Sequence, residues 1–126
     1  MAFVDRAGFD WRLRTRTLAL GERTLLMAIV NLTPDSFSGD GLANAALDDA
    51  AQIALAHLDG GADILDLGAE STRPGAKPLS PDTEQAHLLP VLEAVLRERP
   101  HAVISVDTYH AATARAAARA GAEIVN

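Results

Sequence analysis

The residues best equipped for chemistry stand where apolar runs stop. Asn31 follows the run at 25–30, Asp66 ends the run at 63–66 with Glu70 just beyond, Asp107 follows 102–106, and Asn126 follows 123–125. A carboxylate beside a carboxamide, as Asp107 and Asn126 would be on neighbouring strand ends, accepts and donates several fixed hydrogen bonds. That suits a flat heterocycle with an amino-pyrimidinone edge, whose donors and acceptors lie in one plane. Asp107 reads equally as the N-cap of a helix beginning near Thr108. Two polar stretches accompany these residues. NLTPDSFSGDG (31–41) gathers amide, hydroxyl and carboxylate oxygens around the lone Phe37. With Asn31 it offers oxygen ligands to a hard cation such as Mg²⁺, although Asp35 and Asp40 could equally be turn residues. ESTRPG (70–75) fixes a turn at Pro74-Gly75 and presents hydroxyls and the Arg73 guanidinium, donors suited to an anion. Its plain alternative is a generic polar loop.

These residues converge only if the strands carrying them run parallel. Trp11, Leu13, Thr15 and Thr17 alternate with Arg12, Arg14 and Arg16, and Gly21-Glu22 supplies a turn. The segment 11–24 therefore reads as a hairpin whose arginines form a solvated face. From residue 25 strands and helices alternate. A fully buried strand at 25–30 is followed by a helix with Leu47, Ala50, Ala51, Ala54, Leu55 and Leu58 on one face, capped by Asn44 and stopped by Gly60-Gly61. A strand at 63–67 leads to a helix opened by Ser80-Pro81, with Asp82 and Glu84 at its positive end. Pro90 is expected to kink or divide that helix. A strand at 102–106, an alanine-rich helix at about 110–119 closed by Gly121, and a strand at 123–125 complete the series. GADILD (61–66) is echoed by GAEIVN (121–126), so one turn chemistry recurs at alternate strands.

This alternation predicts an α/β fold with a parallel sheet covered by helices, either a (β/α)8 barrel or a doubly wound sheet. Residues 1–24 form an N-terminal β-hairpin segment and 25–126 the main unit. In either architecture the four polar strand ends share the rim where such folds bind ligands.

Composition narrows the function classes. The 126 residues are 48% hydrophobic, enough for one core. No stretch of about 18 apolar residues is present, so no membrane span is expected. Without a cysteine there is no thiolate metal site, disulfide or cysteine nucleophile, and a cytoplasmic location is the natural reading. The N-terminus has no apolar signal-peptide core, so the glycosylation-like Asn31-Leu32-Thr33 is read as chance. The net charge is −6, with five arginines against three acids in residues 1–24 and acids in excess thereafter. No basic stripe interleaved with aromatics exists, which argues against a nucleic-acid partner. His57, His87, His101 and His110 share no ligand spacing and read as structural or surface residues.

NLTPDSFS (31–38), then DLG (66–68) with ESTRPG (70–75), then SVDT (105–108), closely resemble the dihydropteroate synthase family in order and spacing. The resemblance implies a (β/α)8 TIM barrel, of which this chain carries the first half, strands one to four. It implies a transferase of folate biosynthesis, targeted by sulfonamides. The enzyme joins 6-hydroxymethyl-7,8-dihydropterin diphosphate to p-aminobenzoate and releases diphosphate, with Mg²⁺ as cofactor and a homodimer as the full-length assembly. Under it, Asp107 and Asn126 hold the pterin edge, and Asn31 faces the Mg²⁺–diphosphate as metal and substrate ligand. Thr72, Arg73 and Pro74 belong to a second loop near diphosphate and p-aminobenzoate, and Ser36 and Phe37 shape the p-aminobenzoate site. Asp107, Thr72 and Arg73 are the catalytic candidates. Gly39 stands where many members have Asp, with Asp40 following.

A complete barrel takes about 250 residues, and the family's second-half pterin carboxylate, lysine and late Arg and His have no counterpart here. Half a barrel leaves two strand edges and a core face exposed. The expectation is therefore a portion of a longer protein, or a chain that pairs with a second copy, and one that alone makes no dihydropteroate. The rival readings are a non-catalytic pterin-binding half barrel and the pterin-binding domain of a folate-dependent methyltransferase.

Overall fold

The structure is a computed structural model and describes residues 6–32, 42–69, 74–75 and 77–126, with side chains of the first helix described from residue 46. The chain opens with an antiparallel pair, β1 (Phe9–Arg12) and β2 (Thr17–Leu20), with Trp11 opposite Leu18. The expected alternation holds over 11–14, where Trp11 and Leu13 are half-buried between exposed Arg12 and Arg14, and reverses at 15–17, where Thr15 and Thr17 are exposed and Arg16 is half-buried. The turn, however, lies at residues 13–16, closed by Leu13 N–H to Arg16 O at 2.7 Å, and not at Gly21-Glu22. Alternation carries no mark of a turn that lacks glycine or proline. This one is held from outside.

The hairpin tip docks on the residue before the last strand. Thr15 N–H donates to Glu123 Oε2 at 2.8 Å, the Thr15 hydroxyl donates to Glu123 Oε1, and Arg14 Nε donates to Ala122 O at 2.7 Å. Arg16 pairs with Glu123 at 3.6 Å and donates to His101 O at 2.7 Å. Arg14 and Arg16 are therefore anchors, not a solvated face. The echo seen in sequence has the same use at its other copy. Asp63, the counterpart of Glu123, accepts from Arg23 Nη1 at 3.0 Å and from Leu26 N–H at 2.8 Å. Both acids sit just after a Gly-Ala turn and both receive a backbone N–H and an arginine from the N-terminal segment.

Four parallel strands follow, β3 (Met27–Asn31), β4 (Ile64–Gly68), β5 (Val103–Asp107) and β6 (Ile124–Val125). They alternate with α1 (Leu42–Asp59), α2 (Pro81–Glu98) and α3 (Ala111–Ala120). The sheet order is β3-β4-β5-β6, the order of the sequence. A doubly wound sheet reverses its order at a switch point. A barrel does not, and α1 packs on α2 and α2 on α3 in one continuous layer over one face. Alternate residues from each strand meet those helices: Val30, Leu65, Leu67, Ile104 and Val106 join Ala54, Leu88, Val91, Leu92 and Val95 in the core. The architecture is a segment of a (β/α)8 barrel.

The opposite face is less covered at its β3 edge. Met27 and Ile29 are 43% and 66% exposed, so the strand expected to be fully buried is buried on its helix side only. Helix boundaries also depart from expectation. α1 begins at Leu42, which puts Asn44 inside the helix and not at its cap. In α2 the Ser80 hydroxyl accepts the Thr83 N–H at 3.2 Å as expected, but the helix runs unbroken through Pro90. Pro90 and Ala86, four residues before it, are both exposed, so the ring and the helix turn it disturbs lie on the solvent side. Among the described residues no helix is long and apolar enough to cross a membrane.

Candidate functional site

Strand register brings the rim together. Asn31 is aligned with Gly68, and Gly68 with Asp107. On the next strand, Asn126 N–H donates to Val106 O at 2.8 Å and Asn126 O accepts from Thr108 N–H at 3.2 Å, which sets Asn126 beside Asp107. Strands lie about 4.8 Å apart, so the row Asn31–Gly68–Asp107–Asn126 spans about 14 Å. Partners in register share one side of a sheet, and this row lies opposite the helix-facing Val30, Leu67 and Val106. It therefore caps the concave face at the C-terminal ends of the strands, where barrels carry their active sites.

Gly68, not Asp66, is the rim residue of β4, because that strand runs two residues further than its last carboxylate. An ideal Cβ on Gly68 would lie 3.3 Å from Asp107 Cβ and 3.6 Å from Asp107 Oδ2. Its missing side chain keeps a slot between Asn31 and Asp107 open. Asp66 lies one row deeper, aligned with Ile29 and Ser105. It is 4% exposed, Ser105 is fully buried, and Asp66 Oδ1 and Ser105 Oγ have no hydrogen-bond partner among the described residues. A buried carboxylate oxygen or hydroxyl without a partner is costly, and here the two lie in one row directly beneath the polar rim. The strand-end argument set Asp66 on the rim itself, and the resemblance assigned it no role; the structure places it one row below. The signal was its parity: two residues before Gly68, it points to the same side.

The cap reading of Asp107 is excluded. α3 starts at Ala111, its cap position is His110, and Asp107 is the last residue of β5. Asn31 and Asn126 are exposed at their strand ends, and Pro74, the described part of the second polar loop with Gly75, is exposed as well. Ser36, Phe37, Thr72 and Arg73 lie outside the described residues, as do Asp40 and Glu70. Among the described residues no group of three or more His, Asp or Glu could hold a metal by itself. The four histidines lie apart, His57 on α1, His87 on α2, His101 before β5 and His110 before α3.

The chain has relatives among known proteins. A family model described as "Pterin binding enzyme" matches residues 27–126. The Bacillus subtilis dihydropteroate synthase is 49% identical over 109 residues, covering 86% of this chain and 38% of that protein. An "Inactive dihydropteroate synthase 2" of Mycobacterium tuberculosis is 44% identical over 108 residues, covering 84% of this chain and 33% of that protein. The crystal structure of Burkholderia cenocepacia dihydropteroate synthase complexed with 7,8-dihydropteroate superposes with a TM-score of 0.75 at 41% identity, over 93% of this chain and 37% of that one. The chain thus spans well under half the length of the relatives it matches. With the match running unbroken from the first barrel strand to Asn126, across every residue of the rim row, the chain belongs to the pterin-binding enzyme family.

Proposed function

We propose that this chain supplies the pterin-binding wall of a dihydropteroate synthase, which condenses 6-hydroxymethyl-7,8-dihydropterin diphosphate with p-aminobenzoate. One observation carries the reading: the row Asn31–Gly68–Asp107–Asn126 overlies a buried, unpartnered Asp66 oxygen on the concave face. A pterin ring offers amino and ring N–H donors and a carbonyl acceptor along one edge. Asp107 and Asp66 would take the donors, Asn126 would meet the acceptor, and Gly68 leaves room for the ring's thickness. The Burkholderia cenocepacia complex, whose ligand contains that ring, supports the assignment.

Bond changes follow from charge. The exocyclic carbon–oxygen bond breaks and its electron pair leaves with diphosphate, so positive charge spreads over the pterin. The Asp107 carboxylate, already on the ring edge, stabilises that charge. The arylamine nitrogen of p-aminobenzoate then forms the carbon–nitrogen bond and loses a proton, with no covalent enzyme intermediate. Thr72 and Arg73 would hold the diphosphate, and Ser36 and Phe37 the p-aminobenzoate. Asn31 offers a carboxamide oxygen, joined by no acidic cluster among the described residues, a donor that would suit a Mg²⁺ taking its other ligands from diphosphate and water. When bound, that ion supplies charge stabilisation of the departing diphosphate. On this reading the protein acts in the cytoplasm, as a homodimer at full length.

The Mycobacterium tuberculosis relative, whose name marks it inactive, favours a second reading: a pterin-binding module that does no chemistry. Calorimetry on the full-length protein separates the two. Binding of p-aminobenzoate only after the pterin diphosphate or its analogue supports the synthase, and pterin binding with no ternary complex supports the module. Asp107→Ala tests the site itself. The expected outcome is pterin affinity weakened tenfold or more, corresponding to the loss of about 1–3 kcal/mol typical of a removed buried partner, with little change in melting temperature. Unchanged affinity would refute the rim assignment.

A further inference from the structure

Glu84 is a buried carboxylate that the chemistry above leaves unused. It lies in the first turn of α2, on the helix side of the sheet, and is fully buried. Its Oε1 accepts a hydrogen bond from the Thr108 hydroxyl at 2.7 Å, while its Oε2 is buried with no hydrogen-bond partner among the described residues. Burying a carboxylate is costly, and a single hydroxyl only partly offsets that cost. Ser80 caps α2, and exposed Asp82 also stands in its first turn, so the positive end of the helix has an acid without Glu84.

Thr108 explains the arrangement. It is the residue after Asp107. Its N–H donates to the Asn126 carbonyl at 3.2 Å, its hydroxyl donates to Glu84, and the same oxygen accepts the His110 N–H at 3.0 Å. The hydroxyl has one proton to give, and that proton is committed to Glu84. One residue thus ties the end of β5 to the start of α2 and to the backbone of Asn126. The two rim residues that would read a pterin edge are its covalent neighbour, Asp107, and the residue whose backbone carbonyl it holds, Asn126. Reading a planar edge demands side chains held to within about 0.5 Å.

We propose that Glu84, acting through Thr108, fixes the Asp107 carboxylate relative to the Asn126 carboxamide, and is a positioning residue for the pterin site. The inference rests on the rim reading above. Its test uses the full-length protein, with 6-hydroxymethyl-7,8-dihydropterin diphosphate titrated calorimetrically well below each variant's melting temperature. Thr108→Val removes the hydroxyl at nearly constant size and is expected to weaken binding about tenfold. Thr108→Ser and Glu84→Gln, which each keep a donor–acceptor pair, are expected to stay within about threefold of the parent. The double variant Asp107→Ala/Thr108→Val should bind no more weakly than Asp107→Ala alone, since residues acting through one another are not additive. A purely structural role would lower the melting temperature and leave affinity intact, or would add its loss to that of Asp107→Ala. Either result overturns the inference. Loss of binding in Asp107→Ala with none in Thr108→Val sinks this inference alone, whereas full affinity in Asp107→Ala sinks the rim reading and this inference together.

Discussion

Glu123 shows how much can depend on one side chain outside the chemistry. Its carboxylate, 7% exposed, receives the Thr15 N–H, the Thr15 hydroxyl and the Arg16 guanidinium. Burial pushes its pKa up, but the two Thr15 hydrogen bonds and the charges of Arg16 and Arg14 outweigh burial and hold it below the usual glutamate range. A folded-state pKa below the unfolded one adds stability above the unfolded value, about 4.3, and that stability is lost as pH falls through the folded value. At neutral pH, Glu123→Ala is expected to cost about 1–3 kcal/mol, the range for orphaned buried partners. The gap in melting temperature between parent and variant should narrow as pH drops below about 4. A gap that stays constant from neutral to acid pH would show that the carboxylate's charge is not what secures the hairpin. Asp107 offers the contrasting case in legibility. Its chemistry was readable from its type, but only the start of α3 at Ala111 separated a strand-end ligand from a helix cap.

At the scale of elements, the turns after α1 and α3 share one construction. Gly61 and Gly121 have φ of 108° and 120°, and the following alanines donate to His57 O and Ala117 O at 2.9 Å each, five residues back. Their surroundings differ. A Cβ on Gly121 would lie 2.5 Å from Leu96 Cδ1, whereas a Cβ on Gly61 would meet nothing within 4 Å. Gly61→Ala should therefore cost only the backbone penalty, about 1–2 kcal/mol, and Gly121→Ala that penalty plus displacement of Leu96 between α2 and α3. Equal losses in a urea titration of the two variants would contradict the packing difference. The shared turn was legible because glycine, alanine and an acid repeat in order. The acids' partners were not, because Thr15 and Arg16 are more than 100 residues from Glu123 in sequence and local patterning carries no such distance. The same limit explains Asn44 and Pro90: cap preference and proline's helix-breaking tendency are local rules, overridden where core contacts or solvent exposure decide. The end of β4 at Gly68 was missed because glycine carries no strand signal, although its lack of a side chain is what opens the rim.

For the molecule as a whole, the sequential order β3-β4-β5-β6 means that the sheet curves toward a far wall that these four strands do not provide. Parallel sheets are stable with both faces covered, yet Met27 and Ile29 on the concave side, Leu26 beside them and Val125 on the last strand are all large and exposed. β3 and β6 each end the sheet with an unpaired edge among the described residues. Barrel closure by about four further strands would bury both edges and the exposed Met27 and Ile29, while leaving the polar rim row facing the central hollow. Residues 1–126 by themselves are accordingly expected to associate, their weight-average mass in sedimentation equilibrium rising above the 13.2 kDa of one chain as concentration increases. Ile29→Lys places a charge on the exposed β3 edge and should lower that association without melting the core, since Ile29 is 66% exposed. The same preparation, given Mg²⁺ and both substrates, should form no dihydropteroate, because only one wall of the hollow is present to hold the pterin. A monodisperse 13 kDa species at every concentration, turning over both substrates, would mean that four strands suffice and that the exposed β3 edge has some other use.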